Sequence, residues 1–323
     1  MSKNNNEINL CIADVIFAIT AEEGINLRLA QRHIAFQLNK QDNILSGEKV
    51  RIRFCHNLPD PDTSPVNIWE VTGDSPSWKV FDYHDESRIF LYSDSDEETI
   101  IISLKSGKYD QEIFIKAPPS GNVEVLKYPM DIILMYYVSM KFSLLIVHAS
   151  GFSIRNCGHV CIGKSGMGKS TLYNLAAQAG GSIVQDDRLI LRQTRQGWFM
   201  YPLPLSEKDH PVREKICRLN SLFHGPRNLA IPLTGTVRLN QFLPHIVHFP
   251  NWKGNYLNQL NLVGDLLKTI RIFQFFFIPD ITAIQYLQNG KDPGKSHYIP
   301  PEKPLPSTIK GFRQKHDTFY LPG

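Results

Sequence analysis

Apolar residues recur along this chain in two rhythms. Between residues 8 and 116 they come as short runs rich in Ile, Val and Phe, at 8–17, 49–55, 78–83, 88–93, 99–104 and 111–116. Several alternate with polar residues, as in Arg51-Ile52-Arg53-Phe54-Cys55 and Glu112-Ile113-Phe114-Ile115-Lys116. That period of two is the mark of a half-buried strand. Turn-forming clusters at Asp60-Pro61-Asp62 and Ser106-Gly107 separate the runs, and the acidic run Asp94, Asp96, Glu97, Glu98 reads as a solvated loop. A β-rich N-terminal domain over residues 1–121 is expected. It closes at the pattern-breaking segment Ala117-Pro118-Pro119-Ser120-Gly121.

Beyond that boundary the rhythm changes. A helix-like stretch from Met130 to Met140 is followed by the continuous apolar run Leu144–His148, the pattern of a strand buried on both faces. Val160-Cys161-Ile162 leads into a glycine-rich turn, Lys169–Ala179 reads as a helix stopped by Gly180 and Gly181, and Ile183–Leu191 returns to strand. Tyr201-Pro202-Leu203-Pro204-Leu205 must be extended or loop. Leu260, Val263, Leu266, Leu267 and Ile270 fall at helical spacing, and Ile272–Ile278 is a last apolar strand. Residues 122–288 thus form a second, α/β domain. The segment 289–323, rich in Pro, Gly and Lys, is a tail with little packed structure. The fold class expected is α/β (α+β), with a β-rich region beside the α/β core.

Composition narrows the options. The 323 residues are 42% hydrophobic and 20% charged, which is globular and excludes collagen-like, coiled-coil and wholly disordered chains. A net charge of +4 is too small an excess to argue for nucleic acid or an anionic membrane as partner. The polar start MSKNNNEINL is not a signal peptide. The apolar stretch from Pro129 to Val147 is broken by Asp131 and Lys141, so a buried helix and strand explain it better than a membrane span. The five cysteines are odd in number and irregular in spacing, which disfavours a disulfide framework. Cys157 and Cys161 are expected to be ordinary strand cysteines rather than half of a zinc site, because no second pair has ligand spacing. The cytoplasm is the default compartment.

The informative segment is Gly163-Lys164-Ser165-Gly166-Met167-Gly168-Lys169-Ser170, which fits G-x-x-x-x-G-K-[ST] in full. The glycines let successive backbone N–H groups turn inward around phosphate oxygens. Lys169 can bridge the β- and γ-phosphates, Ser170 can ligate Mg²⁺, and the helix that follows turns its positive end to the anion. An apolar strand carrying Asp186-Asp187 lies 16 residues past Ser170, where a Mg²⁺-binding partner strand belongs. On a regular strand adjacent carboxylates point to opposite faces; at a strand end both reach the phosphate site, one holding Mg²⁺ and the other accepting the proton of an attacking hydroxyl. Alternatively one is a turn residue or pairs with Arg188 or Arg192. His148, at the end of a buried strand, could orient an aspartate, but taken alone it reads as a satisfied structural histidine rather than a site residue.

Together, His148-Ala149-Ser150-Gly151, the loop 163–170 and Gly180 to Asp187 resemble the core of the HPr kinase/phosphorylase family. The likeness covers residues 128–195 and consists of the order His-x-x-Gly, strand, GxSGxGKS, helix, strand, Asp-Asp. It implies a fold related to phosphoenolpyruvate carboxykinase and phosphoryl transfer from ATP or GTP, with Mg²⁺, to a serine hydroxyl. It implies that Gly163, Lys164, Ser165, Gly166, Met167, Gly168, Lys169, Ser170 and Thr171 hold the nucleotide, and that Ser170 and Asp187 hold the metal. Asp186 would be the base, supported by His148, with Lys169 on the transferred group. The family assembles through this core, so a homo-oligomer is also implied. The family's glycine-rich signature downstream is replaced by Tyr201-Pro202-Leu203-Pro204-Leu205-Ser206-Glu207-Lys208, which departs from HPr as substrate and from the reverse reaction. A Pro-Leu-Pro segment is more similar to HPr kinase-like proteins of peptide-modification clusters, including lasso-peptide tailoring kinases. The expected acceptor is accordingly a hydroxyl of a peptide, protein or small molecule. Lys208, Arg213, Lys215 and Arg218 are candidates for a mobile basic loop closing over phosphates, or else a solvated surface loop. The competing function is a nucleotide-dependent switch or hydrolase with no acceptor.

Overall fold

The structure is a computed structural model that describes residues 7–38, 48–58, 64–71, 78–84, 86–91, 100–105, 112–247 and 256–289. The turn clusters at 60–62 and 106–107, the acidic run at 94–98 and the tail from 290 lie outside the described residues.

The chain has a mixed α+β architecture. Nine N-terminal strands come first: β1 (Glu7–Ile12), β2 (Val15–Ala21), β3 (Asn26–Leu29), β4 (Glu48–Cys55), β5 (Asn67–Val71), β6 (Trp78–Asp82), β7 (Glu86–Leu91), β8 (Ile100–Lys105) and β9 (Glu112–Lys116). All but β3 form an eight-stranded sheet in the order β1-β2-β4-β9-β8-β7-β6-β5. Alternation does the sorting: in β4, Val50, Ile52 and Phe54 are buried while Arg51 and Arg53 face out. β10 (Asn122–Val125) follows the turn at 117–121 and pairs in parallel with β3.

α1 (Met130–Lys141) is buried around most of its circumference, as a helix without a polar face must be. Its Ile133, Leu134 and Val138 share one core with Ile52 and Phe54 of the first sheet and with Leu144, Ile146 and Ile190 of the second. Asp131, the one acid in that helix, is buried and bonded to Arg32 at 2.5 Å; burial still raises its pKa, with Arg32 opposing. Among the described residues no helix is long and apolar enough to cross a membrane.

The remaining elements are β11 (Leu144–Ile154), β12 (Cys157–Ile162), α2 (Lys169–Gln178), β13 (Ser182–Thr194), β14 (Gly197–Pro202), β15 (Glu214–His224), β16 (Leu229–Pro232), α3 (Val237–Phe242), α4 (Tyr256–Thr269), β17 (Arg271–Phe277) and α5 (Ile281–Gln288). The seven strands run β12-β11-β13-β14-β15-β17-β16, and β12 also pairs with β15. That extra pairing curls five of the strands into a closed ring, with β17 and β16 extending from β15. One face packs Val263, Leu266 and Leu267 of α4; the other packs Leu172 and Ala176 of α2 with Ala283, Ile284 and Leu287 of α5. The helices at 130–141, 169–178 and 256–269 stand where periodicity predicts them. The strand and helix at 214–224 and 281–288 are additions.

The expected basic loop is not formed at 213–218. Lys215 and Arg218 are strand residues. Arg218 lies over the Phe273 ring at 3.9 Å, and Arg213 lies over Phe199 at 3.9 Å beside Asp14. Burial of Ile216, Leu219 and Leu222, with pairing to β12 and β17, commits the segment to the sheet.

Two histidines are sealed in neutral form. Burial lowers His33 to about 4, helped by Arg32, and lowers His159 to about 3, helped by Arg218. His159 is stacked on Phe152 at 5.4 Å. The unfolded chain therefore takes up these protons first, and stability falls as pH drops from about 6.5 towards 4, by on the order of 3 kcal/mol per histidine. Urea midpoints at pH 7.5 and pH 4.5 check this. The drop should be smaller in His159→Gln, and an unchanged drop in that variant would contradict the assignment to His159.

Candidate functional site

The phosphate loop occupies residues 163–168, between the end of β12 and the start of α2. Two of its glycines are required by backbone conformation: Gly166 has φ +79° and Gly168 has φ +88°. Gly168 is also the N-cap of α2, and a Cβ there would lie 2.6 Å from Cζ of Phe277. Lys169 folds back over the loop, its Nζ donating to the carbonyls of Gly163 at 2.8 Å and Lys164 at 3.5 Å. Ser150 Oγ donates to the Lys169 carbonyl at 3.3 Å, tying β11 to the first turn of the helix.

A cavity of about 350 Å³ opens at this loop. Ser165, Gly166, Gly168 and Lys169 form one wall, continued by Ser170 and Thr171 of α2. Asp186, Asp187, His148 and His224 complete it. Lys164, Met167 and Gly163 belong to the loop without lining the cavity; Gly163 packs against Met167, where a Cβ would sit 3.3 Å from Met167 Cβ.

The two aspartates lie in the middle of β13 rather than at a strand end. The strand continues to Thr194, with Asp186 opposite Ser150 and Asp187 opposite Ala149. Two irregularities let adjacent side chains share one cavity. The register slips between Gly151 and Phe152, leaving Val184 as an extra residue in β13, and Asp187 takes φ +119°. That conformation is rare for a residue with a Cβ and collects at functional sites.

His148 lies on β11 across from Arg188, one step from Asp187. Its Nδ1 is 3.0 Å from Oδ1 of Asp187, and Arg188 Nε lies 3.7 Å from the other oxygen. The histidine thus engages Asp187, the aspartate assigned to the metal, and not Asp186, the assigned base. The hydrogen bond from His148 holds the Asp187 carboxyl below the usual range against the effect of burial, and Arg188 and Lys169 add to the lowering. Asp186 has no hydrogen-bond partner among the described residues, and its charge reaches Lys169 and Tyr173. Burial lowers Lys169, with both aspartates pulling the other way.

Three residues join the site without having been singled out in the sequence. His224, at the end of β15, has Nε2 3.0 Å from the Gly166 carbonyl and packs its ring on Phe277. His245, in the short 3-10 turn Leu243–His245, is lowered to about 4 by burial, with Lys169 and His148 contributing. Tyr173, on α2, is raised by burial and by the nearby Asp186 and Asp209. None of the three carried a signal in the local pattern of apolar residues.

The donors facing the cavity are oxygens of Ser170, Asp186 and Asp187, a hard set that fits Mg²⁺ alongside phosphate oxygens and water. Among the described residues no group of three or more His, Cys, Asp or Glu is placed to hold a metal ion.

No family model matches the sequence, and no curated protein matches it. Among solved structures, the chain is similar to the Hpr(Ser) kinase/phosphatase from Coxiella burnetii, at 14% identity and a TM-score of 0.26, over 45% of this chain and 97% of that one. A likeness of that size does not define a shared fold, so the reading of the site rests on this chain's own residues.

Alanine at Gly168 is expected to strain the φ +88° turn and to press on Phe277. The expected cost is about 1–3 kcal/mol, seen as a lower urea midpoint together with weaker nucleotide binding. Alanine at Gly180, also at positive φ but with nothing within 4 Å of a Cβ, should weaken stability without weakening binding.

Proposed function

We propose that this protein is a Mg²⁺-dependent kinase that moves the γ-phosphoryl group of a nucleoside triphosphate to a hydroxyl of a peptide, protein or small molecule. One observation carries the reading: Ser165, Gly166 and Gly168 of the phosphate loop, its lysine and serine, and two aspartates line a single cavity. The loop N–H groups and the start of α2 would hold the phosphates. Lys169 would exchange the Gly163 carbonyl for β- and γ-phosphate oxygens, and its charge would count most as negative charge spreads in the transition state. Ser170 and Asp187 would hold Mg²⁺, which when bound neutralises charge on the phosphate oxygens. Asp187 suits that task because His148 and Arg188 keep it ionised and fixed. Asp186, with no hydrogen-bond partner among the described residues, suits the acceptor: it would orient the hydroxyl and take its proton.

The test is to follow label from γ-labelled ATP and GTP, with Mg²⁺, in the presence and absence of a pool of serine-containing peptides. Label on peptide supports the kinase. Label only in free phosphate favours a switch or hydrolase, in which Asp186 would orient water instead.

A further inference from the structure

Away from the phosphate cavity, two thiols face each other across adjacent strands. β12 and β15 run parallel, with Gly158 opposite Ile216 and His159 opposite Arg218. The register passes over Cys217, which is the extra residue of a bulge. At this bulge Cys217 lies across from the start of β12, beside Cys157, the first residue of that strand. Cys217 is exposed and Cys157 is half-buried.

Their surroundings divide the labour. The hydrogen bond from Cys157 lowers the Cys217 thiol to about 6, with the Gly158 N–H and Lys215 helping and burial and Glu214 opposing. The same bond and burial raise Cys157. Burial raises the other three thiols as well: Cys11, which is half-buried, and the buried Cys55 and Cys161. Thiolates are the reactive form, so the one activated, exposed cysteine in the chain lies across the strand pair from a second thiol able to resolve it.

We propose that Cys217 and Cys157 form a hydroperoxide-reactive dithiol site that closes into an intramolecular disulfide. The Cys217 thiolate attacks an oxygen of the hydroperoxide. The O–O bond breaks, and the leaving alkoxide or hydroxide takes up a proton to become alcohol or water. Cys217 is then a sulfenic acid. Cys157 gives up its proton and attacks that sulfur; the S–O bond breaks, water leaves and the S–S bond forms. Two thiols and one hydroperoxide thus give one disulfide, one water and one alcohol, or a second water from hydrogen peroxide. The closed ring runs from residue 157 to residue 217 and encloses the phosphate loop, α2 and both aspartates, tying together the starts of the strands that lead to Gly163 and to His224. The inference is independent of the kinase reading, because it uses only the β12–β15 pairing and the chemistry of its two thiols.

The experiment treats the full chain with a few equivalents of hydrogen peroxide and reads intact mass and the digest. The expected result is loss of two hydrogen masses and a single linked peptide pair containing Cys157 and Cys217. In Cys157→Ser, dimedone should trap a sulfenic acid on Cys217 at least about tenfold faster than on Cys11, Cys55 or Cys161. In Cys217→Ser, Cys157 should stay unmodified. Both serine variants keep a polar group at a half-buried or exposed position, and an unchanged thermal midpoint confirms that they fold. No mass loss in the wild type, a link through a different cysteine, or no preferential dimedone label on Cys217 would each overturn the proposal.

Discussion

Replacing Lys169 by alanine should weaken nucleotide binding by about 10- to 150-fold, the range of about 1.5–3 kcal/mol that a hydrogen bond to a charged group contributes. Turnover should fall further, by an additional factor of about 10²–10³, because charge stabilisation matters most in the transition state. The fold should survive. Among the described residues Lys169 Nζ donates only to the Gly163 and Lys164 carbonyls, and burial disfavours the ammonium while Asp186 and Asp187 favour it. Calorimetric titration with ATP and GTP, paired with a urea melt, separates the two effects. Unchanged affinity in Lys169→Ala would mean that the loop does not hold phosphates.

Asp186→Asn should do the opposite. The carboxamide has nearly the same shape and removes no hydrogen bond described for Asp186, so nucleotide affinity should stay within about threefold. Transfer to a hydroxyl should fall by about 10²–10⁴, the usual contribution of a positioned base. Asp187→Asn supplies the contrast. It removes the negative charge that faces His148 at 3.0 Å and takes a carboxylate out of the oxygen set, so it should raise the Mg²⁺ concentration needed for half-maximal activity. Both substitutions are read in the same label-transfer assay with a Mg²⁺ titration. If Asp187→Asn abolishes transfer at saturating Mg²⁺ while Asp186→Asn turns over normally, the two roles must be exchanged.

Much of this site could be read before the fold was known, because it is local. The motif at 163–170 brings its own geometry, and the strand before it and helix after it follow from apolar runs and a double-glycine stop within 20 residues. The buried helix at 130–141 was equally plain, since nothing else accommodates so apolar a stretch broken only by Asp131 and Lys141. What sequence could not supply depends on partners distant in the chain. That both aspartates face one cavity depends on a slipped register against β11 and on φ +119° at Asp187, neither of which periodicity encodes. That His148 meets Asp187 rather than Asp186 is set by strand pairing, with Ala149 opposite Asp187. His245 reaches Lys169 and His148 from a turn with no pattern of its own. The strand 214–224 was obscured because Lys215 and Arg218 looked like solvent-facing charges, whereas Arg218 spreads its guanidinium over Phe273 and its stem serves the sheet.

The most direct measurement is a calorimetric titration of ATP and of GTP into the full-length wild-type protein, with and without Mg²⁺. Saturable one-to-one binding of a triphosphate that tightens with Mg²⁺ and is lost in Lys169→Ala is the expected result. No binding of either nucleotide to folded protein would contradict the assignment of residues 163–170 as a phosphate site, and with it the roles given to Asp186, Asp187 and His148.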